Sequence, residues 1–315
     1  MTEDDESRLP SAARRWSASF RFALNQTRPR GDWKVPPRQA EKRAERCRLR
    51  VESPQRVEHD RAAELVSQTD GLHPTRRFRT LGVMLVRSWN LYHGMTSPKG
   101  RRSHLEEAVR LVSADRPDVV CLQEIPLWGC PILEEWSGMA AIWRSARRVW
   151  FPPELGGAIT RLNQGLFRSA VSGQANAILL RPRLVPLEER WQTISSGRRE
   201  RRICQAVRVD GMVIANLHAS SEPGHPEVGA AEIVRALVFV ESLAEDGDAI
   251  ILAGDFNLRP NQLRELPGFS LPGPQIDHIL ARGIKTGPLG VWPEAERTTA
   301  SGVLSDHAPV ELRIG

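Results

Sequence analysis

Two side chains that could do chemistry together, Asp255 and Asn257, stand two residues apart, directly after an apolar run over 249–253. The run follows a helix-like stretch and predicts a buried strand. Strand side chains alternate between faces, so a carboxylate at position i and an amide at i+2 point into the same volume. An apolar core gains nothing from that pair, whereas a hard cation, a water or a phosphate oxygen can bind to it.

Other predicted strands also begin or end in polar residues. The motifs are W-N-L at 89–91, L-Q-E at 122–124, N-L-H at 216–218, G-D-F-N at 254–257, I-D-H at 276–278 and S-D-H-A-P-V at 305–310. One polar strand end is ordinary, but six that can converge at sheet edges indicate a site. Carboxylate and amide oxygens without a thiolate cluster favour Mg²⁺, with Mn²⁺ as the alternative, over zinc.

The elements that must position these residues are many strands and few helices. Hairpins in both halves, such as the one at Asp210-Gly211, predict an α/β sandwich of two sheets covered by helices. A helix is expected over about 227–245, a short helix over 130–137, and an insertion with a short amphipathic helix over 152–173.

In this order, the six motifs resemble the endonuclease/exonuclease/phosphatase superfamily over about residues 81–315. That family includes deoxyribonuclease I, exonuclease III-type repair nucleases, inositol-polyphosphate 5-phosphatases and neutral sphingomyelinases. The resemblance implies a four-layer α/β/β/α sandwich with two mixed, mostly antiparallel sheets flanked by helices. It also implies metal-dependent hydrolysis of a phosphate ester.

The resemblance assigns metal and phosphate roles to four residues. Glu124 resembles the principal metal-binding glutamate, and Asn90 resembles the asparagine that supports metal and phosphate. At a strand end, Asn90 is also compatible with capping a turn. Asp306 is expected at the metal and imidazole side, and Asn257 resembles the amide that holds the phosphate.

Four further residues take proton-transfer and positioning roles by the same resemblance. Asp255 resembles the aspartate that orients or deprotonates the attacking water. His307 resembles the histidine that contacts or protonates the non-bridging oxygen. Asp277 matches the aspartate that hydrogen-bonds the catalytic imidazole. His218 matches the histidine that acts as general acid for the leaving oxygen.

Weaker signals come from residues whose surroundings suggest two readings. Asn176 falls where many family members place a phosphate-contacting asparagine, and it fits a strand-edge amide equally well. Arg202 follows Arg201 in a basic cluster; an arginine there could bind a substrate phosphate bidentately or belong to a solvated charge run. The three remaining histidines of interest are interpreted as local hydrogen-bonding residues (His93, His225 and His278).

Charge divides the chain into two predicted parts, 1–79 and 80–315. Residues 1–79 hold 18 of the 44 basic and 12 of the 38 acidic residues, so the remainder, with 26 of each, is neutral. The basic, Arg-rich first part is expected to be a disordered tail, with a nucleic-acid-binding arm or a gene-model extension as alternatives. The second part is the expected catalytic domain.

Several observations bear on the cellular setting. No apolar run is long enough to span a bilayer, and the acidic start of the chain argues against a secretory signal. The four cysteines show no paired spacing, which is typical of reduced cytosolic thiols. We expect a cytoplasmic monomer, and nothing in the sequence indicates a protein partner.

The predicted function is a Mg²⁺-dependent phosphoesterase acting on a small molecule, a lipid headgroup or a nucleic acid. A repair-type DNA endonuclease or exonuclease is the alternative. The neutral second part argues against it, as does the histidine at 218, where repair nucleases usually carry a tyrosine; the chain's one tyrosine is Tyr92. A catalytically inactive binding module of the same fold is the lesser alternative. Loops over 91–104, 126–137 and 152–173 are expected to select the substrate.

Overall fold

The computed structural model describes residues 82–146, 151–196, 201–263, 266 and 268–315. The predictions for residues 1–79 lie outside these residues. The strands are β1 (Met84–Asn90), β2 (Thr96–Ser97), β3 (Val119–Pro126), β4 (Ala140–Ser145), β5 (Gln174–Leu180), β6 (Glu188–Thr193), β7 (Ile203–Val209), β8 (Met212–His218), β9 (Ala249–Asp255), β10 (Asp277–Arg282), β11 (Gly290–Val291), β12 (Thr298–Thr299), β13 (Gly302–Leu304) and β14 (Val310–Ile314). The α-helices are α1 (Leu105–Ser113), α2 (Leu133–Ser137), α3 (Pro153–Leu162), α4 (Ser169–Ser172) and α5 (Pro226–Glu241).

Two large sheets carry the fold within the described residues. The first has the strand order β11-β14-β1-β3-β5-β4, and the second has the order β10-β9-β8-β7-β6. Only β1 with β3 and β8 with β9 pair in parallel in these two sheets, so each sheet is mixed and mostly antiparallel, as predicted. A third, small sheet of β12, β13 and β2 was not predicted.

Three apolar clusters separate the layers of the sandwich. The central cluster lies between the two sheets and includes Val86, Ile178, Ile214 and Ile251. The second cluster packs α1 against the outer face of the first sheet, because Leu105, Val109 and Val112 recur at helical spacing. The third packs α5 against the outer face of the second sheet. These layers confirm the predicted α/β/β/α sandwich.

Strands with few buried apolar residues were not found from the sequence. The edge strand β6 reads Glu-Glu-Arg-Trp-Gln-Thr and is largely exposed, so hydrogen bonding to β7, rather than an apolar pattern, defines it. The edge strand β4 falls in a stretch over 140–151 whose mixed apolar and arginine residues showed no clear period. None of the helices in the described part of the chain is both long and apolar enough to cross a membrane.

Candidate active site

Four polar side chains converge at the carboxyl ends of the two parallel strand pairs. Asn90 ends β1 beside Gln123 of β3, and His218 ends β8 directly opposite Asp255 of β9. The two sheets meet here, because the Asn90 Nδ2 atom donates a hydrogen bond of 3.0 Å to Asp255 Oδ2. Glu124 follows Gln123, and its carboxylate lies 3.9 Å from His218 Nε2. The strand topology therefore brings four of the predicted residues into one cluster.

Asp255 is the centre of the cluster and is only 1% exposed. Its Oδ1 atom accepts a hydrogen bond of 2.9 Å from the Asn257 amide nitrogen. Its Oδ2 atom lies 3.4 Å from His218 Nε2 and 3.8 Å from His307 Nε2. Burial and the nearby charge of Asp277 raise the pKa of Asp255 to about 7, although His307 and the two hydrogen bonds act in the opposite direction.

His307 forms a tight pair with Asp277, the first residue of β10. The His307 Nδ1–H group donates a hydrogen bond of 2.8 Å to Asp277 Oδ2, which fixes the orientation of the ring. Burial alone would lower the pKa of His307, but the Asp277 hydrogen bond and the surrounding carboxylates outweigh it and raise the pKa to about 9. At neutral pH the ring is therefore a cation whose Nε2–H points toward Asp255.

His218 is held in the opposite protonation state by Arg202. The Arg202 Nη1 atom lies 2.9 Å from His218 Nδ1. A guanidinium can only donate, so Nδ1 is the acceptor and the proton of the neutral ring sits on Nε2. Burial, followed by the charge of Arg202, lowers the pKa of His218 well below its ordinary value. The ring therefore presents a neutral N–H donor beside Asp255.

Glu124 is held by a residue that the sequence interpretation did not place in the site. The ring of His93 reaches it twice, with Nδ1 3.1 Å from the Glu124 carbonyl oxygen and Nε2 3.2 Å from Oε2. Both residues have left-handed backbone, with φ of +56° at His93 and +54° at Glu124. Burial raises the pKa of Glu124, although the charge of Arg202 opposes this. Only the proximity of His93 to Asn90 in the sequence could have signalled this contact.

Three other predicted residues lie around the cluster. Asn257 Nδ2 donates a hydrogen bond of 2.9 Å to the Ala219 carbonyl, which links the G-D-F-N turn to the end of β8. Asp306 is partly exposed, and its Oδ1 lies 4.0 Å from His307 Nε2. Asn176 is buried on β5, and its Nδ2 atom donates a hydrogen bond of 3.4 Å to the Ile203 carbonyl.

Two histidines have the local partners expected from the sequence. His278 is buried, accepts a hydrogen bond from the Gly273 amide at Nδ1 and donates from Nε2 to the Leu258 carbonyl. His225 is exposed and lies 2.9 Å from the Glu227 carboxylate. Neither ring contacts the Asp255 cluster in the described structure.

The donor atoms of the site are oxygens and imidazole nitrogens. Asp255, Asp277 and His307 each offer an atom within 4.8 Å of the others, and Asp277 Oδ1 is buried without a described hydrogen-bond partner. The three described cysteines are buried in the apolar clusters and remain outside the site. Oxygen donors with no thiolate from a described cysteine among them suit a hard divalent cation.

Known proteins resemble this chain in sequence pattern and in fold. Residues 88–307 match the model of the endonuclease/exonuclease/phosphatase family. No curated protein sequence matches the chain. Among solved structures, a TDP2 from Caenorhabditis elegans has a TM-score of 0.54 at 15% identity, and the match covers 74% of each chain. A mannosyl-6-phosphatase from Bacteroides thetaiotaomicron has a TM-score of 0.53 at 17% identity over 74% of this chain and 99% of its own. At these identities the likeness shows a shared fold.

Proposed function

Because the chain belongs to the endonuclease/exonuclease/phosphatase family, whose members hydrolyse phosphate esters, we propose that it is a Mg²⁺-dependent phosphoesterase that uses a water activated at Asp255. The observation that carries this proposal is the arrangement around Asp255 Oδ2, which lies 3.4 Å from His218 Nε2 and 3.8 Å from His307 Nε2. One carboxylate between a neutral and a cationic N–H donor is suited to a reaction that moves a proton and builds negative charge.

Glu124 would hold the cation, with Asn90 and Asp306 beside it. Burial disfavours the charged form of Glu124. A divalent cation bound there would favour the charged carboxylate and lower its pKa. When bound, Mg²⁺ neutralises charge on the phosphoryl oxygens, and Mn²⁺ can serve in its place.

Asp255 would align and deprotonate the attacking water. The Asp255 carboxylate accepts two hydrogen bonds, from Asn90 Nδ2 and from the Asn257 backbone amide. These bonds fix the orientation of its oxygens toward the attacking water before substrate binds. A pKa of about 7 suits a general base at neutral pH, because the group is partly ionised and still basic enough to accept a proton.

The cationic His307 and the neutral His218 would interact with different oxygens of the phosphate ester. The cationic His307 ring would stabilise charge on a non-bridging oxygen, and Asn257 would help to hold the phosphate. The neutral Nε2–H of His218 would donate a hydrogen bond to the leaving oxygen, in place of the proton that the general-acid role expected from the sequence would supply. Arg202 fixes the proton of His218 on that nitrogen, so its role in this scheme is to orient the donor as well as to attract the phosphate.

A generic phosphodiester tests the proposal without knowledge of the natural substrate. With bis(p-nitrophenyl) phosphate and Mg²⁺, we expect turnover that EDTA abolishes. Asp255→Asn should lower kcat about 10²- to 10⁴-fold, because the base is lost. His225→Gln, at an exposed histidine away from the cluster, is the matched control and should keep wild-type turnover. Unchanged turnover in Asp255→Asn would refute the proposed role of that carboxylate.

A further inference from the structure

Helix α3 is oriented with its small residues inward and its large apolar residues outward. Gly156, Gly157 and Thr160 are its buried positions, and the two glycines pack beside Trp128. Leu155 and Leu162, one heptad apart on the same side, are 51% and 84% exposed. An amphipathic helix that serves a core shows the reverse arrangement.

The next turn of the chain carries a third exposed leucine. Leu166, in the 3₁₀ turn Gln164–Leu166, is 58% exposed, while its neighbour Phe167 is buried. We call Leu155, Leu162 and Leu166 the leucine face. A cluster of large exposed apolar side chains on one segment is typical of an interaction surface.

Basic residues accompany the leucine face. Arg161 and Arg168 belong to the same segment, and the Arg101 carbonyl accepts a hydrogen bond from the Gln164 amide, which brings Arg101 and Arg102 to the same place. Among the described residues, none of these four arginines pairs with a carboxylate, and the Arg168 guanidinium donates to the Gly165 and Phe167 carbonyls. Glu154 is the one acidic residue in α3. The surface is therefore apolar and positively charged.

The same segment touches the catalytic cluster. The Gln164 Nε2 atom donates a hydrogen bond of 2.9 Å to the His93 carbonyl, and the Phe167 ring lies 5.1 Å from the His93 ring. His93 in turn holds Glu124. A flat surface bound to the leucine face would therefore lie beside the mouth of the site.

We infer that the leucine face docks on a lipid surface that carries anionic headgroups. Leucines that enter the acyl boundary while flanking arginines contact headgroup phosphates match the chemistry of such a surface. Neither nucleic acid nor a small molecule would cover three exposed leucines. Docking does not require hydrolysis, but the idea that a lipid headgroup supplies the phosphate ester rests on the proposed function.

Vesicle co-sedimentation of the full chain tests the inference. The probe is vesicles of phosphatidylcholine with and without phosphatidylserine. We expect binding to the anionic vesicles, and a drop of at least about tenfold in the partition coefficient for the double variant Leu155→Ser/Leu162→Ser. Arg161→Ala should weaken binding to anionic vesicles alone. Leu271→Ser, at a leucine that is 87% exposed elsewhere, is the matched control and should bind as the wild type does.

A constant charge on residues 1–79 and a turnover assay separate docking on the leucine face from other effects. The net charge of +6 on residues 1–79 is the same in every variant, so the difference between variants isolates the leucine face. Turnover of soluble bis(p-nitrophenyl) phosphate should be unchanged in the double variant, which separates docking from hydrolysis. Equal vesicle binding by the wild type and the double variant would overturn the inference. So would self-association of the wild type that the double variant loses, because it would assign the leucine face to a second copy.

Discussion

His307 is cationic and His218 is neutral at neutral pH, although both Nε2 atoms approach the same oxygen of Asp255. The difference comes from what each Nδ1 atom meets. Asp277 accepts a hydrogen bond from His307 and stabilises the cationic ring, whereas Arg202 donates a hydrogen bond to His218 and keeps that ring neutral. Sequence motifs give the identity of both residues, but protonation depends on partners 30 and 16 positions away in the chain.

Replacing Asp277 with asparagine should lower the pKa of His307. The pKa is about 9 in the wild type because Asp277 and the nearby carboxylates overcome burial. Loss of the negative partner disfavours the cation, so the pKa must fall. An NMR titration of the imidazole signals in metal-free protein measures it, with exposed His225 as the internal control. A His307 pKa unchanged in Asp277→Asn would contradict the assigned pair.

At the scale of elements, the site depends on a register shift in β3 and on a hydrogen-bonded junction between the sheets, neither of which hydrophobic periodicity reveals. Strand β3 continues through the polar Gln123 and Glu124 to Pro126, with a register shift between Leu122 and Ile125. That shift turns Glu124 into left-handed backbone and toward the second sheet. Asn216 of β8 donates hydrogen bonds to the Leu122 and Ala177 carbonyls, which joins the two sheets beneath the cluster.

Replacing Asn216 with leucine should weaken this junction between the sheets. The Leu122 and Ala177 carbonyls would lose this buried donor, whereas Gln123 Nε2, which donates to Asn216 Oδ1 over 2.8 Å, would keep Ser88 Oγ and the Cys121 carbonyl as acceptors. Buried unsatisfied groups cost about 1–3 kcal/mol each, so the free energy of unfolding should fall by at least about 2 kcal/mol. Urea denaturation measures the change. Asn261→Leu, at an exposed position, should stay within about 0.5 kcal/mol of the wild type.

Gly254 permits the close approach of β9 to β8 just before Asp255. Its φ is +143°, and a Cβ atom there would lie 1.9 Å from the Leu217 carbonyl oxygen. Gly254→Ala must therefore move one strand and should lower the free energy of unfolding by more than about 3 kcal/mol. Gly247→Ala is the control, because its φ is +87° with open space around it, and it should cost about 1 kcal/mol. Equal costs in thermal unfolding would show that the close approach does not matter.

At the scale of the whole molecule, the pattern of strands, helices and hairpins predicted the sandwich, and the family resemblance of the six motifs assigned Asn90, Glu124, His218 and Asp255 to one site. The carboxyl ends of parallel neighbouring strands meet at one edge of a sheet, so polar residues at those ends lie close together. Periodicity also found the helix in 152–173 but could not show that its glycines face inward. His93 was missed because its contact with Glu124 depends on two left-handed residues, one in the turn after β1 and one at the register shift of β3.

Mg²⁺ should stabilise the whole protein through Glu124. A ligand that binds only the folded state adds about 2.7 kcal/mol at a concentration 100 times its dissociation constant, and the melting temperature rises accordingly. Thermal unfolding with and without Mg²⁺ should show this rise in the wild type and a much smaller one in Glu124→Gln. Glu241→Gln, which removes a surface carboxylate paired with Arg282, should keep the wild-type response. A full response in Glu124→Gln would place the cation elsewhere.

In the proposed reaction, a water activated at Asp255 attacks phosphorus. Hydrolysis of bis(p-nitrophenyl) phosphate in ¹⁸O-labelled water with Mg²⁺, followed by mass spectrometry of both products, tests it most directly. Attack at phosphorus places the label in p-nitrophenyl phosphate and leaves p-nitrophenol unlabelled, and Asp255→Asn should lose this reaction. Label in p-nitrophenol, or no Mg²⁺-dependent hydrolysis by the wild type, would contradict the account.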